Sequence, residues 1–127
     1  MLGQHTFTIH AGDFREGEAH FSALTDIFTL GVKGKTFAAK RVPASSLSAV
    51  EIATEENVKK LGGTVGWGLV GGALLGPAGM LAGLLLGGRG KNVVFVAKFD
   101  DGLKMLASAE SKTFTAIQAA AFSVTAR

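Results

Sequence analysis

NVVFVAKFDDGLKMLASA, residues 92–109, decides the fold. A run rich in Val and Phe leads to Asp100-Asp101-Gly102, and a second apolar run follows it. Val and Phe suit a pleated, half-buried surface, and Asp and Gly tolerate the positive φ of a tight turn. The spacing predicts strands over 92–99 and 103–109, joined as an antiparallel hairpin. Ser111 is then placed to cap a helix over roughly 112–124. On that helix Phe114, Ile117, Ala121 and Val124 fall on one face at i, i+3, i+7 and i+10.

Upstream, HTFTIH (5–10) alternates as a short strand does. AGDFREGEAH (11–20) is polar and turn-rich, and FSALTDIFTLGV (21–32) holds one or two strands. Val32-Lys33-Gly34-Lys35 signals a turn, after which TFAAKRV reads as a strand ending at Pro43. Proline lacks the ladder donor, so it belongs at a strand end or edge. ASSLSAVEIA (44–53) turns Leu47, Val50 and Ile52 inward on a further strand or turn, and TEENVKK (54–60) is a charged connector. Phe28, Phe37, Phe95 and Phe99 alternate with polar residues, which predicts core positions rather than base stacking.

Residues 61–88, LGGTVGWGLVGGALLGPAGMLAGLLLGG, carry no charge. Gly68, Gly72 and Gly76 recur every four residues, and so do Gly79, Gly83 and Gly87. Glycine inside a helix is unfavourable by ~1 kcal/mol against alanine. A stripe of six makes sense where another backbone packs closely along it, as in the small-xxx-small contacts of membrane helix pairs. These six glycines are the expected self-association residues. Pro77 and Ala78 stand between the two runs, where the chain can reverse as a helical hairpin. Lys59 and Lys60 before the segment, and Arg89 and Lys91 after it, are the expected membrane-flanking residues, with Trp67 at the interface. Positive charge at both ends favours the cytoplasmic side for both. Each arm of about a dozen residues spans roughly 15–18 Å at ~1.5 Å rise per residue, half a hydrocarbon core. Such a hairpin dips into the membrane or inserts into the core of an oligomer.

Totals exclude several classes. The chain has 127 residues, room for one domain. It is 47% hydrophobic and 18% charged with 18 glycines, so the apolar excess is concentrated rather than general. A net charge of +3, with no basic run longer than two, predicts no nucleic-acid partner. Without cysteine there is no disulfide and no thiolate metal site. His5, His10 and His20 lack ligand spacing, so no metal is expected. No nucleophile elbow or phosphate loop occurs, no cofactor is expected, and Asp100 and Asp101 are accounted for by the turn. Met1–His10 lacks a basic start and an apolar run, so no signal peptide is expected.

KGKTFAAKRVPASSLSAVEIA (33–53), NVVFVAKFDDGLKMLASA (92–109) and the closing helix together resemble a bacterial pleckstrin-homology-like domain with a glycine-rich hydrophobic insertion before the last hairpin. The resemblance implies an open antiparallel barrel capped by a helix, membrane-proximal or assembly roles, and no catalytic residues. The expected fold class is therefore α+β: a small pleckstrin-homology-like barrel or sheet over 1–60 and 89–127, with 61–88 inserted as an apolar helical hairpin. The expected function is a non-enzymatic homo-oligomeric assembly module, peripheral or monotopic on the cytoplasmic side of the inner membrane. Two alternatives stand beside it: a membrane-inserting, pore-forming or depolarising protein, and a soluble oligomer with the hairpin buried in its core.

Overall fold

The computed structural model describes residues 3–54, 56 and 92–125. Among these, seven strands precede one α-helix. They are β1 (Gln4–Gly12), β2 (Gly17–Ser22), β3 (Ile27–Gly31), β4 (Ala39–Pro43), β5 (Leu47–Ile52), β6 (Asn92–Phe99) and β7 (Lys104–Glu110). The helix α1 spans Ser111–Thr125, and a single 3-10 turn, Ala44–Ser46, joins β4 to β5. All strands form one sheet in the order β4-β3-β2-β1-β7-β6-β5, and every neighbouring pair is antiparallel. The architecture is a small curled antiparallel sheet with a C-terminal helix, loosely pleckstrin-homology-like.

The curl follows from distances. Phe28 on β3 and Phe99 on β6 lie four strand steps apart in the sheet order. At ~4.8 Å per step a flat sheet would separate them by roughly 19 Å. Their rings are 5.7 Å apart and edge-to-face, so the sheet has bent round to face itself. The two edge strands, β4 and β5, are linked by only Ala44–Ser46. That corner is pinned on both sides: the Ala44 N–H donates to the Asp26 carbonyl at 2.7 Å, and the Asp100 N–H donates to the Ser46 carbonyl at 2.7 Å. A register shift between Ile9 and Ala11 marks a bulge in β1, which adds bend.

The core fills the concave face. Phe7, Phe21, Phe28, Phe95 and Phe99 pack there with Leu30 and Met105, and α1 closes the opening with Phe114, Ile117 and Ala120. The hairpin of 92–109 has the expected turn. Gly102 takes φ +90°, and the Asp101 carboxylate accepts from the Leu103 N–H at 3.1 Å.

The structure corrects several expectations. Residues 17–20, read as part of a polar turn, belong to β2, which continues through Phe21 and Ser22. Glu18 and His20 face outward while Ala19 and Phe21 are buried, so the alternation was masked by its polar half. Ile52, expected inside, is 55% exposed at the end of β5. Phe37, expected in the core, is 95% exposed, because β4 starts only at Ala39 and leaves it on the preceding loop.

The fold class with an inserted helical hairpin is also corrected. The described fold has one α-helix, α1, and no helical hairpin; the hairpin expected over 61–88 lies outside the described residues. Four-residue glycine spacing says which face a helix would present, but it does not make a helix. Each of the six glycines disfavours one by ~1 kcal/mol.

Candidate functional site

The residues singled out from the sequence all lie outside the described residues: Gly68, Gly72, Gly76, Gly79, Gly83 and Gly87, Pro77 and Ala78, and Lys59, Lys60, Trp67, Arg89 and Lys91. What the structure does place is the part of the sheet that carries them. β5 and β6 are antiparallel neighbours with Ile52 opposite Phe95. The Ala53 N–H donates to the Val94 carbonyl at 2.8 Å, so the pairing continues one residue past β5. The chain leaves the sheet at Thr54 and rejoins it at Asn92, opposite Glu110 at the end of β7. Departure and return are thus at one end of one hairpin-like strand pair.

Both faces of the neighbouring pair β6–β7 are buried at its middle. Phe95 and Ala97 point into the core. Val96 and Leu106, paired with one another, belong to the opposite face, yet they are 0% and 1% exposed. Their strands read as continuous apolar runs because neither face is wetted, as in a central strand covered on both sides. At the margin of that outer face, His10 Nε2 and Ser108 Oγ are hydrogen-bonded at 2.8 Å. The pair has the spacing of a base and a nucleophile. Ser108 is held in both the β1–β7 and β6–β7 ladders, whereas His10 sits at the bulge of β1.

Burial lowers the pKa of His10 from its ordinary 6.5, and the charge of Glu16 partly offsets this. The sign is that of a base kept neutral when folded. Its contribution to stability is complete above 6.5 and is lost as pH falls through the lowered folded value. A His10→Gln variant should therefore lose less stability than wild type between about pH 7 and pH 5. Urea midpoints at the two pH values check this; equal losses would show that His10 is not the group responsible.

The other histidines have local partners. His5 Nδ1 lies 3.1 Å from Thr113 Oγ1, which ties β1 to the first turn of α1. His20 sits 3.5 Å from the Glu18 carboxylate. Among the described residues no group of three or more His, Cys, Asp or Glu gathers to hold a metal. A groove of about 520 Å³ runs between β5 and α1, lined by Leu47, Ser48, Val50, Thr115, Gln118 and Phe122 among others. Among the described residues that line it, none carries a charged side chain. The His10–Ser108 pair joins residues 98 apart in sequence, and only the β1–β7 register reveals it. No family model, curated protein or solved structure matches the chain.

Proposed function

We propose that the protein is a non-enzymatic module that associates with a membrane through the uncharged segment 61–88 and self-associates there. The observation that carries this is the antiparallel pairing of β5 and β6. Because Ile52 pairs with Phe95, the described chain on either side of the segment is anchored in neighbouring strands. A segment so tethered that enters a bilayer returns on the side from which it came. Lys59 and Lys60 before it, and Arg89 and Lys91 after it, favour the cytoplasmic face for both ends. Thr64 is the one side chain in 61–88 with a hydroxyl, and the segment has no ionisable group. In water such a surface must be covered, and lipid or a second copy can cover it. No helix among the described residues is long and apolar enough to cross a membrane.

The test replaces 61–88 with a short Gly/Ser linker. The β5–β6 pairing lets a short connection close the sheet, so the variant should still melt cooperatively. Full-length protein should float with zwitterionic vesicles, and the linker variant should not. Light scattering should show multiples of 13.1 kDa for the full chain and a smaller species for the variant. Equal flotation of both proteins would defeat the proposal.

A second reading has its own observation. The outer face at Val96 and Leu106 is covered. If 61–88 contributes to a dry interior of the protein or of an oligomer, no apolar surface is left for lipid. The full chain would then stay soluble without detergent and ignore vesicles, while the linker variant would bind a hydrophobic dye at the uncovered face.

A further inference from the structure

Asp101-Gly102 is the one place in the chain where an aspartate or asparagine is followed by glycine. The other aspartates and asparagines precede Phe14, Ile27, Val58, Val93 and Asp101 itself. The difference is chemical. A backbone nitrogen can attack the side-chain carboxyl carbon of the residue before it, and glycine offers no side chain to block the approach and the widest backbone freedom to reach it. In that step the Gly102 nitrogen bonds to Asp101 Cγ, the Cγ–O bond of the protonated carboxyl group breaks, and the amide proton leaves with the hydroxyl as water. The product is a five-membered imide. Water then adds back to one of its two carbonyls. Cleavage on the side-chain side restores aspartate, and cleavage on the main-chain side leaves isoaspartate, with the backbone running through Cβ and Cγ.

The hairpin ties down both reacting groups. The Gly102 N–H donates to the Phe99 carbonyl at 2.9 Å, and the Phe99 N–H donates to the Leu103 carbonyl at 2.8 Å. This closed turn holds Gly102 at φ +90°. Asp101 Oδ1 accepts from the Leu103 N–H at 3.1 Å, and its Oδ2 lies 3.9 Å from Lys40 Nζ on β4. For the ring to close, the nitrogen must leave the Phe99 carbonyl and the carboxyl group must swing onto it, so these contacts break first. They stand in water: Asp100, Asp101 and Gly102 are all exposed. Exposed turns open more readily than core strands do.

We infer that Asp101 is a site of spontaneous isomerisation to isoaspartate, guarded by the folded hairpin and modified only when that hairpin opens. The change is one-way for the fold. Isoaspartate adds a backbone carbon between Asp101 and Gly102, inside a turn that must bring Lys98 opposite Lys104. The carboxylate that accepted from the Leu103 N–H becomes part of the main chain. The same turn pins the corner between β4 and β5, because the Asp100 N–H donates to the Ser46 carbonyl at 2.7 Å. A misfitting turn therefore loosens the β6–β7 hairpin and that corner together. The site is independent of the segment 61–88 and of any membrane.

The full chain is incubated at neutral pH and body temperature, folded and in concentrated urea, beside a capped peptide of residues 99–104. Trypsin cuts after Lys98 and Lys104, so the fragment Phe99–Lys104 reports the site. Isoaspartate in it is counted by an isoaspartate-specific carboxyl methyltransferase with labelled S-adenosylmethionine. The chain in urea should react at the rate of the peptide, and the folded chain roughly tenfold more slowly or slower still. Gly102→Asn should fold like wild type, since asparagine tolerates positive φ and nothing lies within 4 Å of the added carbon. It should lose most of the reaction in urea, because its side chain hinders the nitrogen. Isolated chains carrying isoaspartate at 101 should melt lower than wild type after refolding. Equal rates for the folded chain and the peptide would overturn the guarding role of the hairpin. No isoaspartate at 101 in urea, or an undiminished rate in Gly102→Asn, would overturn the site. An unchanged melt of the isolated isoaspartate chain would overturn its effect on the fold.

Discussion

Gly12→Ala should unfold this protein or leave it close to its unfolding midpoint at room temperature. Gly12 ends β1 with φ +118°, a backbone region that L side chains rarely adopt. It also sits where β7 crosses. A Cβ built there would clash with the Lys104 carbonyl oxygen and lie 2.9 Å from the Met105 Cα. Both obstacles are backbone and cannot swing aside. The same crossing holds Asp13, whose N–H donates to the Lys104 carbonyl at 2.9 Å and whose carboxylate accepts from the Lys104 N–H at 3.0 Å. Relieving the clash would therefore pull β1 from β7, the join between the two halves of the sheet. The conformational strain is about 1–3 kcal/mol, and overpacking adds another ~1–3 kcal/mol. Against a total stability of ~5–15 kcal/mol, the sum is a large fraction. Urea denaturation followed by circular dichroism checks it. A midpoint within error of wild type would show that β1 and β7 can separate at that point without cost. Gly17→Ala is the matched control, because it has the same φ and nothing within 4 Å of the added carbon.

Phe28→Ala should destabilise by roughly 3–5 kcal/mol, while Phe37→Ala should change stability by less than ~0.5 kcal/mol. Phe28 is fully buried and meets three other rings: Phe21 at 4.7 Å, Phe99 at 5.7 Å and Phe7 at 6.1 Å. Those rings come from β2, β6 and β1, so Phe28 is the side chain that joins the facing walls of the curled sheet. The walls are bridged by strand pairing on one side and by the Ala44–Ser46 corner on the other, so they cannot collapse freely into the space. Thermal melts of the two variants give the comparison. Similar losses for both would mean that Phe37 has a structural partner.

The strand and helix content was largely legible in local pattern. Val93 to Phe99, the DDG turn and the period of Phe114, Ile117 and Ala121 specify their own conformation, because turn chemistry and side-chain alternation act over a few residues. β2 was harder to see because its outward half is Glu18 and His20 and its inward half begins with Ala19, a weak apolar signal. Phe37 was misassigned for a different reason. Alternation assumes a strand, and Arg15, 22 residues away, holds that stretch out as a loop instead.

What the sequence determined by itself is the hairpin of 92–109, the helix after it and the uncharged character of 61–88, since each depends only on neighbouring residues and on transfer from water. The tertiary structure decided the rest: that β4 and β5 meet round a three-residue corner, that Gly12 lies under the Lys104 carbonyl, that His10 meets Ser108, and that Phe37 is outside while Phe28 is inside. These are contacts between residues distant in the chain. Their energies arise from the curl of the whole sheet, which closes only when all seven strands are in register.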